Sequence, residues 1–131
     1  MNVEPDAMDV KEVEIKLPRL SRQFSGYRIV QLSDLHMGGW MDGGRLRKIV
    51  DLAKQQQPDL AVITGDIFNG SVQGENLIRA ANELVAEISR LTVDVRTLGV
   101  LGNHDYWSHA DDEIRKALEQ CGVIEIGNQF Y

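Results

Sequence analysis

The sequence predicts an α/β fold with a parallel sheet. Short apolar segments alternate with amphipathic helical patterns, and this alternation is typical of parallel α/β sheets. Hydrophobic residues make up 43% and charged residues 26% of the 131 residues, which is the balance of a globular chain with one core. No linker divides the chain. We therefore expect one domain from residue 10 to residue 131, after an unpatterned and disordered lead-in at residues 1–9.

The first half of the chain predicts two strands and a helix. Apolar and charged side chains alternate over residues 10–17, which predicts a half-exposed edge strand that ends at Pro18. Residues 27–33 predict a more buried strand. Asp42 and two glycines then precede a helix. The apolar stripe of that helix contains Leu46, Ile49, Val50 and Ala53.

The second half repeats this pattern. Leu60 to Thr64 form a short continuous apolar segment, which predicts a strand covered on both faces. A helix, a third strand at residues 95–101 and another helix follow, and residues 123–126 predict one more strand. The last helix begins after Ser108, which has the capping-box spacing to Asp111, and ends at Gly122. The apolar stripe of the second helix contains Leu77, Ala81, Leu84, Val85 and Ile88.

Composition excludes several classes of site and partner. Cys121 is the only cysteine, so an intramolecular disulfide and a thiolate metal cluster are excluded, and its helical spacing from Leu118 predicts burial. A net charge of -6 without a basic stripe argues against nucleic-acid binding. The acidic N-terminus does not resemble a signal peptide, and no apolar segment approaches the ~18 residues that span a bilayer. We therefore expect a cytoplasmic protein.

Residues that can bind metals follow three of the predicted strands. Asp34 and His36 follow the first of these strands, Asp66 the second, and Asn103 with His104 the third. Ligands of open α/β sheets bind beyond the carboxyl ends of the strands, so these side chains are expected to converge. Carboxylate and amide oxygens with imidazole suit Mn²⁺, Fe or Zn²⁺. Any one of them alone could be an ordinary turn or cap residue.

Local spacing supports the same site. In an extended segment, Asp34 and His36 face the same side and can reach one ion. Gly65 and Gly102 precede Asp66 and Asn103, and a glycine lets the backbone approach a ligand closely.

These segments resemble the first three motifs of the calcineurin-like metallophosphoesterases. The motifs read Asp34-Leu-His36, Gly65-Asp66 and Gly102-Asn-His-Asp105. The amino-acid sequence of residues 29–38 and 100–107 is similar to that of the bacterial branch of the family related to membrane-associated phosphodiesterase-like proteins. The likeness extends from about Val13 to the end of the chain.

The resemblance implies a site for two divalent metal ions (Mn, Fe or Zn) and hydrolysis of a phosphomonoester or phosphodiester by a metal-activated hydroxide. It implies that Asp34 and His36 bind the first ion, that Asp66 bridges both, and that Asn103 binds the second. It also implies that His104 acts as a general acid or stabilises developing charge, with its ring oriented by Asp105.

The resemblance leaves the substrate open. Trp40, Met41, Tyr106 and Trp107 lie near the motifs. They could form an apolar rim for a lipid- or nucleotide-linked phosphoester, or pack against another part of the protein. Peripheral association with a membrane is left open as well.

The family fold is a β-sandwich of two facing sheets flanked by helices, and its site is completed by later histidines, one alone and then a Gly-His-x-His motif. The only histidines here are His36, His104 and His109. We therefore expect the chain to be the N-terminal half of such a sandwich, with one apolar sheet face left exposed. The alternative is a truncated, catalytically inactive relative that acts as a metal- or protein-binding module.

Overall fold

The strands form one parallel sheet. The computed structural model describes residues 8–107 and 110–127, without the side chains of His104 and Trp107. Its sheet has four strands in the order β1-β2-β3-β4, and each neighbouring pair is parallel. The predicted α/β fold with a parallel sheet is confirmed. The strands are β1 (Ile29–Leu32), β2 (Leu60–Thr64), β3 (Thr97–Val100) and β4 (Ile124–Glu125).

The connecting helices lie together. They are α1 (Gly43–Gln55), α2 (Gly74–Thr92), α3 (Asn103–Trp107) and α4 (Asp111–Gln120). The strands follow chain order and such crossovers are right-handed, which places α1, α2 and α4 on one face of the sheet. In agreement, α1 packs on α2 and α2 packs on α4. Within the described ranges, no helix has the length and apolar character that crossing a membrane requires.

The core lies between this helical layer and the sheet. The inward-facing apolar residues of α1, α2, α4 and β2 are almost completely buried there, and each large one contributes about 1.5–3 kcal/mol through burial. The largest of them are Leu46, Ile63, Leu84, Ile88, Leu91, Ile114 and Leu118. Cys121 is 2% exposed, which confirms its predicted burial.

The opposite face of the sheet is apolar and open to solvent. In β2 the buried Ala61 and Ile63 alternate with the partly exposed Leu60 and Val62. Ile29, which is paired in register with Leu60, is 58% exposed. At the other end of the sheet Ile124 is 37% exposed. We call this surface the open sheet face (Ile29, Leu60, Val62, Leu98, Val100 and Ile124). An exposed apolar sheet face is what the sequence predicted.

The predicted edge strand at residues 10–17 is wrong. These residues form no strand, and Val13 and Ile15 are 77% and 74% exposed. Alternation gives a segment an apolar face, but a strand also needs a partner for its backbone hydrogen bonds. Among the described residues, none supplies that partner.

Two helix starts differ from the prediction. Asp42 is the N-cap of α1 and accepts a hydrogen bond from Arg45 N at 2.9 Å, so the two glycines lie inside the first turn. The last helix begins at Asp111 with Ala110 as its N-cap residue and without a side-chain cap. The capping-box residue Ser108 lies outside the described residues. Gly122, with φ 80°, follows the end of α4 as predicted.

Candidate metal centre

The loops after β1 and β2 run side by side. Asp34 N donates to Gly65 O at 3.2 Å and His36 N donates to Asp66 O at 3.1 Å. Met37 N donates to Ile67 O at 2.8 Å. Backbone pairing therefore continues beyond the strand ends, and it brings the first two motifs together as the sequence predicted.

Asp34, His36 and Asp66 form a compact cluster. Each offers one ligand atom, and these atoms all lie within 4.8 Å of one another. His36 Nε2 is 3.7 Å from Asp34 Oδ1. In the part of the chain that the structure describes, this is the one such group of three or more His, Cys, Asp or Glu residues. Two carboxylates and an imidazole are a donor set that fits Mn²⁺, Fe or Zn²⁺.

The backbone at the cluster is strained. Asp34, His36 and Asp66 have φ values of 56°, 48° and 48°. Such left-handed conformations are uncommon outside glycine, and Gln57 is the one other described non-glycine residue with positive φ. The predicted extended geometry of Asp34 and His36 is therefore wrong, because left-handed turns hold the two side chains together. Strain of roughly 1–3 kcal/mol per residue concentrates at functional sites.

Ser33 tunes the cluster and was not predicted. Its Oγ donates to Asp34 Oδ2 at 2.7 Å. This hydrogen bond, with the nearby His36 as a smaller cause, holds the pKa of Asp34 below its usual value of 3.8. Asp34 is therefore a carboxylate at neutral pH, which is the form that binds a cation. Its position next to Asp34 was the only available signal for Ser33.

The two glycines allow the loops after β2 and β3 to touch. A Cβ on Gly65 would lie 2.9 Å from the Cα and N atoms of Gly102. A Cβ on Gly102 would collide with Asp66 N and Oδ1. The sequence predicted a close approach to a ligand, whereas the structure shows a close approach between loops. Asp66 consequently rests against the residue that precedes Asn103.

The third motif occupies the short helix α3. Asn103 is its exposed first residue, and its predicted role as a metal ligand stays a prediction. The side chain of His104 lies outside the described atoms, so its catalytic role also stays a prediction. Asp105 is fully buried. Its Oδ1 accepts from Phe68 N at 2.9 Å and its Oδ2 accepts from Gly102 N at 2.8 Å. The orientation of the His104 ring by Asp105 stays a prediction.

The residues predicted to form an apolar rim near the motifs differ in exposure. Trp40 is 49% exposed, and the Arg45 guanidinium lies 4.5 Å from its ring centroid. Tyr106 is also 49% exposed, and its hydroxyl accepts from Arg115 at 3.1 Å. Met41 is buried in the core and cannot form part of an exposed rim. The arginines beside the two exposed rings were not predicted from the sequence.

Comparison with known proteins identifies the type of domain. The family model described as calcineurin-like phosphoesterase matches residues 27–126. This match contains every residue of the cluster and of the third motif.

Individual relatives are longer than this chain. It is 29% identical over 119 residues to the transmembrane protein with metallophosphoesterase domain of Danio rerio, covering 91% of this chain and 26% of that protein. It is 28% identical over 113 residues to the UDP-2,3-diacylglucosamine pyrophosphatase LpxG of Chlamydia muridarum, covering 86% and 33%. It is 27% identical over 129 residues to the uncharacterized metallophosphoesterase YkuE of Bacillus subtilis, covering 98% and 43%. The chain thus spans less than half the length of these relatives.

Proposed function

The chain belongs to the calcineurin-like phosphoesterase family, and on that premise we propose that it carries part of a metal-dependent site for phosphoester hydrolysis. The cluster of Asp34, His36 and Asp66 is the observation that carries the proposal. It combines a fitting donor set with strained backbone, and both lie at the carboxyl edge of the sheet.

In the proposed site, Asp34, His36 and Asp66 hold one divalent ion, while Asp66 and Asn103 hold a second. Such ions, when bound, polarise phosphoryl oxygens and acidify a water molecule. Asp34 supplies a negative charge, and the hydrogen bond from Ser33 lowers its pKa further below the usual value of 3.8. His104 gives a proton to the leaving oxygen or stabilises charge on the phosphoryl group.

The substrate is proposed to be a lipid- or nucleotide-linked phosphoester. The name of the LpxG relative gives it a pyrophosphatase activity on UDP-2,3-diacylglucosamine, a molecule with both kinds of group. Trp40 with Arg45 and Tyr106 with Arg115 each place an exposed ring beside an arginine that also pairs with an aspartate, and an exposed ring of this kind suits stacking of a base. Peripheral membrane association is part of this proposal.

The open sheet face is proposed to be covered by a second sheet, which would complete a β-sandwich. The relatives carry additional sequence that could supply it, since this chain spans 26–43% of their length. If so, this chain alone should bind a hydrophobic dye and self-associate in sedimentation velocity. A monomer without dye binding would contradict the proposal.

Hydrolysis of bis(4-nitrophenyl) phosphate with Mn²⁺ tests the function. The assay is run on this chain and on the longest product of the reading frame that contains it. We expect Mn²⁺-dependent hydrolysis by the longer product and loss of that activity in Asp66→Asn. The exposed control Asp9→Asn should keep the full activity. Mn²⁺ binding without hydrolysis by any product would favour the alternative, an inactive metal-binding module.

A further inference from the structure

We propose that Asp105 is a positioning residue that ties the loop after β2 to the loop after β3 and so fixes Asp66 relative to Asn103. The inference concerns contacts within this chain. Its consequence for metal binding rests on the proposed function.

The two oxygens of Asp105 serve different loops. Oδ1 accepts from Phe68 N, 37 residues away in sequence, and Oδ2 accepts from Gly102 N, three residues away. The residue is 0% exposed. Hydrogen bonds to a carboxylate are stronger than those between neutral groups, and a buried carboxylate without partners is costly. Both bonds therefore stabilise the buried carboxylate in the folded chain.

The contact points of Asp105 lie next to the proposed ligands. Phe68 is two residues after Asp66, and it bridges to Met37 in the loop that carries His36. Gly102 directly precedes Asn103, and its Cα side packs on Asp66. One carboxylate thus touches the chain beside Asp66 and beside Asn103, without being a member of the cluster itself.

The geometry of α3 reinforces the link. Asp105 N donates back to Gly102 O at 3.1 Å, so Gly102 is held by the backbone and by the side chain of Asp105. Gly102 is in turn pressed against the backbone of Gly65 and Asp66. A shift of Asp105 therefore moves Asn103 relative to Asp66. Asp66 and Asn103 would together hold one ion of the proposed site, so such a movement would weaken the binding of that ion.

Two substitutions separate positioning from simple stability. Asp105→Asn keeps the size of the side chain and one acceptor oxygen, but it turns an NH₂ group toward one of the two backbone donors. It should therefore release one loop while the core stays packed. Asp105→Ala removes both bonds. Asp9→Asn, which changes an exposed carboxylate outside every element, is the matched control.

The first measurement is made on the unmodified chain by amide hydrogen exchange. The amide protons of Phe68 and Gly102 should exchange slowly, since each donates to the buried carboxylate. Exchange at the rate of exposed amides would overturn the proposal. This result needs no variant and no metal.

The second measurement is Mn²⁺ affinity by electron paramagnetic resonance, alongside amide chemical shifts. In Asp105→Asn we expect Mn²⁺ affinity to fall roughly 10-fold or more, the amide signals of Phe68 or Gly102 to move, and the circular dichroism to stay unchanged. Asp9→Asn should match the unmodified chain. Unchanged affinity in a folded Asp105→Asn with shifted amides would refute the positioning role.

A chain that binds no Mn²⁺ would contradict the proposed function separately. In that case the amide signals of Asp66 and Asn103 decide the positioning role. At least one of them should move in Asp105→Asn, and two signals that both stay in place would refute it.

Discussion

Replacing Gly102 with alanine tests whether the contact between the β2 and β3 loops builds the candidate metal centre. The new methyl group would collide with Asp66 N and Oδ1. Gly102 is not among the residues with positive φ, so alanine introduces no backbone strain of its own and the collision is the only penalty.

The expected change in the free energy of unfolding is the sum of two opposing effects. Overpacking at a rigid contact costs about 1–3 kcal/mol, because backbone atoms of Asp66 must move. Glycine-to-alanine substitution at a compatible position returns about 0.4–1 kcal/mol by restricting the unfolded chain. We expect a net loss of about 1–2 kcal/mol in the free energy of unfolding, measured by urea denaturation, with weaker Mn²⁺ binding.

Gly44→Ala is the matched control. Gly44 lies in the first turn of α1, and an added Cβ would meet only Asp42 Oδ1 at an ordinary 3.5 Å. Alanine favours a helix over glycine by up to about 1 kcal/mol, so this variant should be equally or more stable and should bind Mn²⁺ normally. If Gly102→Ala matches Gly44→Ala in stability and in Mn²⁺ affinity, the loops do not touch as described.

Three further predictions concern the scaffold. Asp42→Ala should lower the free energy of unfolding by about 1 kcal/mol at pH 7, whereas Asp42→Asn should not, because asparagine also caps helices. The hydrogen bond from Arg45 N lowers the pKa of Asp42, so the cap stabilises the fold above the usual value of 3.8 and this stabilisation is lost as pH falls through the lowered pKa. Equal acid sensitivity of unmodified and Asp42→Asn chains would contradict this. Burial raises the pKa of the Cys121 thiol to about 11. Iodoacetamide at pH 8 should therefore label this thiol slowly unless urea is added, and rapid labelling of the folded chain would contradict its burial. Glu87 is buried and accepts hydrogen bonds from arginines of α1 and α2. Glu87→Ala should therefore lower the free energy of unfolding by about 1–3 kcal/mol, measured by thermal unfolding, and an unchanged free energy would refute the contribution of these hydrogen bonds.

The fold could be predicted where apolar spacing decides the structure. Leu60–Thr64 is a strand in sequence and in structure, because a short run of apolar and β-branched residues favours a strand. The predicted cover on both of its faces is wrong among the described residues, since Leu60 and Val62 lie on the open sheet face. The prediction of a strand at residues 10–17 was wrong, since the alternation of apolar and charged residues does not indicate whether a partner strand exists. The short helix α3 was missed, because it has no apolar stripe and is anchored by hydrogen bonds to Gly102 O.

The candidate site could be predicted in outline. The convergence of Asp34, His36 and Asp66 follows from the rule that parallel strands end at the same edge. Their left-handed backbone could not be predicted, since it depends on how the loops after β1 and β2 pair in space. The link from Asp105 to Phe68 joins residues far apart in sequence, so no local pattern indicates it.

Anomalous diffraction from crystals of this chain grown with Mn²⁺ tests the central claim most directly. We expect a peak coordinated by Asp34, His36 and Asp66 together, and no such peak in Asp66→Asn crystals under the same conditions. An anomalous map without a peak at these three side chains, at saturating Mn²⁺, would contradict the assignment of this cluster as a metal centre.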